Sequence, residues 1–216
     1  MLDVHSPHEP IIGWKDFLVH LFTITIGLLI ALSLEGTVEW FHHRHLVHEA
    51  EASLYREIDG NAKDLKNAIT DLHQQRDDLK HDIVVLDELI RTGKVAPKEQ
   101  MNIAFHIKGF DNVGWKTAQA TGASAYMPYA DAQEYASIYG TQDELADAEK
   151  QAARDAILSL APFMDGDDPK APDPTKDDGK AIKDRVETLE GQILLIDSLM
   201  GSLDEQYKKY LAAHHV

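Results

Sequence analysis

The sequence contains no cysteine and comparatively few basic residues. Without cysteine it has no disulfide, no thiolate nucleophile and no Cys-ligated zinc or iron–sulfur site. Lysine and arginine together number 21, against 37 aspartates and glutamates, which gives a net charge of −16. The first 45 residues hold five acidic and two basic side chains, so the remainder carries −13. A domain this acidic is repelled by phosphate backbones and anionic headgroups, and the composition therefore argues against nucleic-acid binding.

The sequence also lacks the short motifs that mark common catalytic sites. It has no glycine-rich phosphate-binding loop, no H-E-x-x-H motif and no aspartate pattern of a calcium loop. Its abundant acids lie between apolar positions, as they do on the solvated faces of helices. We therefore expect no enzymatic activity, no catalytic residues and no obligatory cofactor.

One long apolar run, FLVHLFTITIGLLIALSL, occupies residues 17–34. As a helix it would be about 27 Å long, close to the roughly 30 Å hydrocarbon core of a bilayer. Trp14, Trp40 and Phe41 flank it where interfacial anchors belong. A single lysine precedes the run and no small-residue cleavage site follows it, so the pattern predicts an uncleaved single-pass anchor rather than a signal peptide.

The charges around the run favour one orientation weakly. Lys15 and the α-amino group precede it, whereas Arg44 and four histidines follow it. We predict a cytoplasmic N-terminus and a soluble domain on the other side of the membrane. The predicted organisation is a short polar segment at 1–16, a transmembrane anchor at 17–41 and a helical domain at 42–216.

Two features of the run suggest interactions within the membrane. Small side chains recur every fourth residue at Thr23, Gly27 and Ala31. Such a stripe lets two helices approach closely, and a partner there could satisfy the threonine hydroxyls, although the same spacing also arises by chance in apolar helices. His20 is the only ionisable residue of the run. It is either a ligand for a tetrapyrrole or a metal, or a neutral histidine near the interface.

Four histidines follow the run within two helical turns. On a helix, His42 and His45 share a face at i, i+3, as do His45 and His48, and Glu49 lies one turn beyond His45. This spacing allows chelation of a divalent metal, but a complete site needs further ligands and the sequence identifies none elsewhere. The alternative is an interfacial polar belt whose charge follows pH.

Two later segments have the alternating four-three spacing of apolar residues that is typical of coiled-coil seams. The first segment is predicted to continue the membrane helix and to end at Gly93, and the second to lie antiparallel to it. The predicted core positions of the first are Ile58, Ala62, Leu65, Ile69, Leu72, Arg76, Leu79, Ile83, Leu86 and Ile90. Those of the second are Ile182, Val186, Leu189, Ile193, Ile196, Met200, Leu203, Tyr207 and Tyr210.

Shorter helices are predicted between these two segments. We expect one from Pro97 to about Gly109, one around 115–121 that ends at Gly122, and one that starts after Pro128. This last helix should break at Gly140 and restart at a capping box formed by Thr141 and Glu144.

The predicted fold class is all-α, and residues 164–179 are interpreted as an acidic, proline-rich loop. A single transmembrane helix continues into a long heptad helix, and the soluble domain is an antiparallel three- or four-helix bundle. Leu194, Leu195 and Leu199 widen the apolar face of the last helix, which favours bundle packing or an oligomer contact.

Two stretches of the chain show a family resemblance. The span and its continuation read IGLLIALSLEGTVEWFHHRHLVHEA, and residues 115–139 contain WKTAQATGA and YADAQEYASIY. They resemble an uncharacterised family of bacterial single-pass inner-membrane proteins with a helical soluble domain, whose members show a G-[IL]-L-I-A-L motif before an aromatic, charged exit helix. The resemblance implies a bacterial envelope protein with a helical domain, and it brings no catalytic residues. Together with the predicted orientation, it places the protein in the bacterial inner membrane with the soluble domain in the periplasm.

Three functional hypotheses follow. The first is a membrane-anchored helical scaffold whose partners are the bilayer and either further copies of itself or other membrane-protein subunits. The second is a metal- or cofactor-binding membrane module that uses the juxtamembrane histidines or His20. The third is an enzyme, for which no nucleophile, base and orienting group can be identified.

Overall fold

The computed structural model describes residues 13–94, 103, 105–160 and 175–214. Within these residues the chain is all-α, with five helices and no strand, which confirms the predicted fold class. The helices are α1 (Trp14–Thr92), α2 (Val113–Ala120), α3 (Ala123–Tyr126), α4 (Tyr129–Leu160) and α5 (Lys176–Ala213). The chain divides into two compact units, Met1–His48 and Glu49–Val216.

The described part of the first unit is the N-terminal portion of α1. An 18-residue window of this helix has a mean hydropathy of 2.3, and none of it is buried. In the described part of the chain, α1 is the one helix that is long and apolar enough to cross a membrane. As predicted, the helix continues without interruption beyond the apolar run, and Gly93, with φ 77°, follows its last residue.

The second unit is built from three long helices. α5 is antiparallel to α1, because Tyr210 lies beside Tyr55 (ring centroids 6.3 Å apart) while Lys183 contacts Asp87 (2.6 Å). α5 is also antiparallel to α4, because residue numbers rise along α4 as they fall along α5 in three hydrogen-bonded pairs. The pairs are Tyr135 with Tyr210, Gln142 with Tyr207, and Asp155 with Gln192. The helices therefore form the predicted bundle, with α1 and α4 both packed against α5.

The buried face of α5 follows the predicted register, whereas that of α1 does so only in part. All nine predicted core residues of α5 are buried. On α1, every seventh residue from Ile58 to Leu86 is buried as predicted, but the alternate buried positions lie one residue earlier than expected. They are Asn61, Ala68, Asp82 and Leu89 instead of Ala62, Ile69, Ile83 and Ile90. Arg76 and the preceding Gln75 are both half-buried. Because Asn61 and Asp82 are polar, an apolar pattern alone assigns the wrong side of the stripe to the core.

The predicted helix from Pro97 to Gly109 is wrong where the structure describes it. Residues 95–102 and 104 lie outside the described residues, and residues 105–112, here called the strap, are not helical. Backbone groups of the strap bond instead to side chains of α1. Gln75 accepts the His106 N–H at 2.9 Å, and Asn61 accepts the Asp111 N–H at 3.0 Å. These distant acceptors replace the i−4 carbonyls of a helix.

The predicted break in α4 at Gly140 is also wrong, because the helix runs without interruption from Tyr129 to Leu160. Tyr139 and Gln142, on either side of the glycine, are both buried in the bundle. Their packing requires the helix to continue, and it outweighs the roughly 1 kcal/mol helix-propensity cost of a glycine. Thr141 does not cap a new helix, since its hydroxyl donates to the Ser137 carbonyl at 3.1 Å.

The predicted loop at 164–179 ends earlier than expected. Residues 161–174 lie outside the described residues, and residues 176–179 already belong to α5. Thr175 is the N-cap of α5. Its hydroxyl accepts the Asp178 N–H, and the Asp178 carboxylate accepts the Thr175 N–H at 2.8 Å. This reciprocal capping box starts the helix inside the predicted loop.

Candidate functional site

The small-residue stripe of the apolar run is accessible on the surface of α1. Thr23, Gly27 and Ala31 are all exposed, and a Cβ added at Gly27 would meet no atom within 4 Å. The Thr23 hydroxyl donates to the Val19 carbonyl at 2.9 Å. The hydroxyl that a partner helix could have satisfied is therefore satisfied within its own helix, and the stripe offers only close van der Waals packing to a second helix.

The predicted interface anchors are also exposed. Trp14 stacks on Phe17 with ring centroids 5.6 Å apart, and Trp40 meets Phe41 edge to face at 4.9 Å. The Arg44 guanidinium lies 5.4 Å from the centroid of the Trp40 ring, within cation–π range. Each end of the apolar run thus presents an aromatic pair, and the second pair adds a cation.

The histidines do not form an assembled metal site in the described residues. His20, His42, His45 and His48 are exposed, as is Glu49. No group of three or more His, Asp or Glu side chains in the described ranges lies close enough together to hold a metal ion. His43 lies 4.0 Å from Glu39, its neighbour one turn earlier. Metal or tetrapyrrole ligation by these residues stays a hypothesis based on spacing.

The best-defined polar site of the second unit is centred on Glu57 of α1. One carboxylate oxygen accepts the Gly114 N–H at 2.6 Å, and the other accepts the Tyr139 O–H at 2.6 Å. Asn112, the N-cap of α2, provides no side-chain cap, so Glu57 caps that helix from another helix. The negative charge of Glu57 also favours this position beside a helix N-terminus. The Trp115 ring stacks on Tyr139, with centroids 5.6 Å apart and planes 6° from parallel.

The groups around Glu57 are adapted to this arrangement. Burial, together with the hydrogen bond to Glu57, raises the pKa of Tyr139 well above its usual value. The phenol therefore stays protonated and remains a donor at physiological pH. Gly114 lies close to the carboxylate, because a Cβ at this position would be 3.2 Å from both Glu57 oxygens and the Glu57 side chain would have to shift to admit it.

A second polar site holds the end of the strap between the helices. The Asn61 side chain accepts the Asp111 N–H at 3.0 Å and donates to the Asp111 carbonyl at 2.7 Å. Gln142 of α4 donates to the Tyr207 hydroxyl of α5 at 2.8 Å, and at 3.4 Å to the same Asp111 carbonyl. Asn61, Gln142 and Tyr207 are all buried. The site therefore connects the strap to all three long helices.

Glu149 of α4 is a buried acid, and no cation among the described residues affects its pKa. Its side chain is only 1% exposed, and the backbone of Lys108 in the strap lowers its pKa. Burial raises the pKa of Glu149 to about 7, and the Lys108 backbone offsets that rise only in part. Its neighbours one turn away on α4 are Leu145, Ala146, Ala152 and Ala153.

The roles of these polar residues were not predicted from the sequence, because core positions were assigned from apolar residues alone. Glu57, Asn61 and Gln142 bond to backbone or side chains that are 31 to 82 residues away in the chain. Glu149 is buried beside them in the bundle, and the backbone of the strap affects its pKa. One signal was available in the sequence. Asn61 lies three residues after Ile58, and Glu149 four residues after Leu145, so both continue an apolar helix face. A polar residue in such a position predicts a buried hydrogen bond.

The chain matches no protein-family model, no curated protein and no solved structure. The resemblance to bacterial single-pass inner-membrane proteins therefore stays a prediction. Two observations of the chain itself bear on its function, namely the exposed apolar face of α1 and the internal hydrogen bonds of Glu57, Asn61 and Gln142.

Proposed function

We propose that the protein is a membrane-anchored helical scaffold, which self-assembles or serves as an accessory subunit of a larger membrane complex. One observation carries this proposal. The same helix, α1, contributes an apolar stretch with no buried residue and, later in its sequence, a buried face of the bundle. A stretch this apolar and this exposed requires a bilayer or another protein around it.

The polar groups of the bundle support a structural role. The carboxylate of Glu57 and the amides of Asn61 and Gln142 bond to the protein's own backbone or side chains. These contacts hold the strap and α2 in place. Groups engaged in this way stabilise one arrangement of the helices, which is what a scaffold requires.

The particle mass after extraction from the native membrane in mild detergent tests the proposal. A particle several times 24.2 kDa made of this chain alone supports self-assembly, and co-purification with other membrane subunits supports an accessory role. A bare monomer contradicts both. Gly27→Ile examines the small-residue stripe, with Leu28→Ile as the matched control. Since nothing lies within 4 Å of Gly27, loss of assembly in the first variant alone would indicate a partner at that face.

The orientation, with the N-terminus in the cytoplasm and the bundle in the periplasm of a bacterial inner membrane, is part of the proposal. The absence of native cysteine makes a single introduced thiol a unique label. Asp147→Cys suits this purpose, because that side chain is 78% exposed. A membrane-impermeant thiol reagent that passes the outer membrane should label it in intact cells. Labelling only after the inner membrane is opened would reverse the orientation.

A further inference from the structure

The helix α5 has an outer face that contacts neither α1 nor α4. Its contacts with α1 lie on one side, where Asp197 meets His73, and its contacts with α4 lie on the other, where Gln206 donates to Thr141. The positions between these two sides are all exposed, and together they are called the outer face. They are Asp184, Glu187, Thr188, Gly191, Leu194, Leu195, Ser198, Gly201, Ser202, Glu205, Lys208 and Lys209.

The middle of the outer face, from residue 191 to residue 202, carries no charge, although the chain beyond residue 45 has a net charge of −13. Leu194 and Leu195 are 53% and 55% exposed there. A Cβ added at Gly191 or at Gly201 would meet no atom within 4 Å. Two exposed leucines with open space beside them on an acidic domain are suited to close packing against another helix.

The two ends of the outer face carry opposite charges. Asp184 and Glu187 lie at its N-terminal end, and Lys208 and Lys209 at its C-terminal end, with Glu205 one turn before them. Their partners within the chain are exposed ion pairs. They are Glu187 with Lys183 at 3.6 Å, Lys209 with Glu134 at 3.9 Å, and Lys208 with Asp204. Exposed pairs of this kind contribute little to stability, so these charges remain able to interact with a second molecule.

We propose that the outer face of α5 binds the same face of a second copy of this chain, with the two helices antiparallel about a twofold axis at Ser198. The contact rests on the self-assembling form of the proposed function. Leu195 then faces Gly201 of the second copy, and Leu194 faces Ser202. Each large side chain meets a small one, which allows the two helices to approach closely.

The charges of the outer face favour this arrangement over a parallel one. In the antiparallel pair Glu187 faces Lys209 of the second copy, and the twofold axis makes this contact twice. Glu205 faces Gly191, which has no side chain. A parallel pair would instead place Glu187, Glu205 and Lys209 each opposite its own counterpart, and like charges that face each other are unfavourable.

The charges also select the register of the antiparallel pair. A shift by one heptad in one direction brings Glu205 opposite Asp184, and Lys209 opposite Lys180. A shift in the other direction places both leucines opposite lysines. Only the register centred on Ser198 combines apolar contacts in the middle with opposite charges at both ends.

An antiparallel pair also determines where the two membrane anchors join it. The chain enters the bundle at Glu49, which precedes His73, the neighbour of Asp197, by 24 residues or about 36 Å of helix. The two entry points therefore lie at opposite ends of the pair, about 70 Å apart. Such a pair fits copies in two facing bilayers, or copies in one bilayer along whose surface the bundles lie.

Disulfide cross-linking of the full chain in its native membrane tests the contact, because the chain has no cysteine of its own. Ser198→Cys, which faces itself, should give a disulfide-linked dimer on mild oxidation. Leu195→Cys combined with Gly201→Cys should also give one, whereas Leu195→Cys alone should not. The two thiols of one chain are about 9 Å apart along the helix and cannot bond to each other. Asp147→Cys, an exposed position of α4, is the control for random collision.

A charge exchange tests the ends of the contact. Lys209→Glu should lower the initial rate of Ser198→Cys cross-linking roughly tenfold, because two attractive pairs become repulsive. Adding Glu187→Lys to the same chain should restore the rate. Lys150→Glu, the same change at an exposed position of α4, should leave it unchanged. A parallel pair would show no such rescue, since each residue would still face its own counterpart.

Three results would overturn the antiparallel pair. The first is cross-linking of Leu195→Cys alone at the rate of Ser198→Cys, which would mean a parallel pair. The second is protection of the Ser198→Cys thiol from a thiol reagent without a disulfide, which would mean that a different protein covers the face. The third is a homo-oligomeric particle in which neither cross-link forms, and this result would leave the scaffold proposal intact. A bare monomer without cross-links would overturn both.

Discussion

Removing a single hydroxyl at Tyr139 should destabilise the bundle measurably. Tyr139→Phe keeps the ring stacked on Trp115 but removes the O–H that donates to Glu57 at 2.6 Å. Hydrogen bonds to charged groups contribute about 1.5–3 kcal/mol, and we expect a loss of about 2 kcal/mol in the free energy of unfolding. Tyr129, on the same helix but 77% exposed, provides the control, and Tyr129→Phe should change stability by less than about 0.5 kcal/mol.

The assay is urea unfolding of the full chain in detergent, followed by far-ultraviolet circular dichroism. A double-mutant cycle with Glu57→Gln then isolates the pair. Glutamine can still accept the Gly114 N–H, so the cycle reports mainly on the bond to Tyr139. We expect a coupling energy of about 1 kcal/mol. A coupling energy near zero, or equal effects of Tyr139→Phe and Tyr129→Phe, would show that the Glu57 site does not hold α1 and α4 together.

Three further outcomes are expected. Gly179→Ala should destabilise the bundle, since the added Cβ would lie 3.0 Å from the Leu89 side chain. Gly191→Ala, with open space around the added Cβ, should stabilise α5 by up to about 1 kcal/mol. The thermal unfolding midpoints of the two variants should therefore lie on opposite sides of that of the native chain. Glu149→Gln should gain stability on the order of 3 kcal/mol at pH 8 and little at pH 5, because ionisation of a group with a raised pKa costs stability as pH rises; unfolding at both pH values checks this. If the juxtamembrane histidines bind a divalent metal, their combined replacement by alanine should abolish metal retention, measured by elemental analysis, and leave the particle mass unchanged; the residues are His42, His45 and His48.

The part of the fold that could be predicted is the part in which apolar side chains carry the packing. The stripe of α5 has an apolar or aromatic residue at each of its nine predicted positions, so the period alone identifies the buried face. The exposed apolar run of α1 could also be predicted, since its length and its composition are read directly from the sequence. The stripe follows from the period of the sequence and the run from its local composition, so neither feature requires knowledge of a distant contact.

The strap and the burial of Asn61 could not be predicted from the sequence, and the reason is the same for both. Asn61 lies in the core of the bundle because Asp111, 50 residues later, supplies both of its hydrogen-bond partners. Nothing local to Asn61 indicates that partner, so a polar residue reads as a surface residue and the apolar stripe is assigned to the neighbouring Ala62. The strap shows the converse, since its backbone needs no helix once Gln75 and Asn61 satisfy its amides. At Asn61 the two misassignments are linked, because the same long-range hydrogen bonds account for both.

Hydrogen bonds within α1 also limit how the apolar run can associate with a second helix. A partner helix could in principle satisfy the threonine hydroxyls of the run, but Thr23, Thr25 and also Ser33 each donate to the carbonyl four residues earlier. A second helix gains little hydrogen bonding from them, so its affinity depends on how closely the backbones approach at Gly27 and Ala31. Association at this face should therefore depend on side-chain size and be insensitive to loss of a hydroxyl. Thr23→Ala should leave the oligomeric state unchanged where Gly27→Ile alters it, and the opposite ranking would mean that interhelical hydrogen bonds form in the assembly at the expense of those within α1.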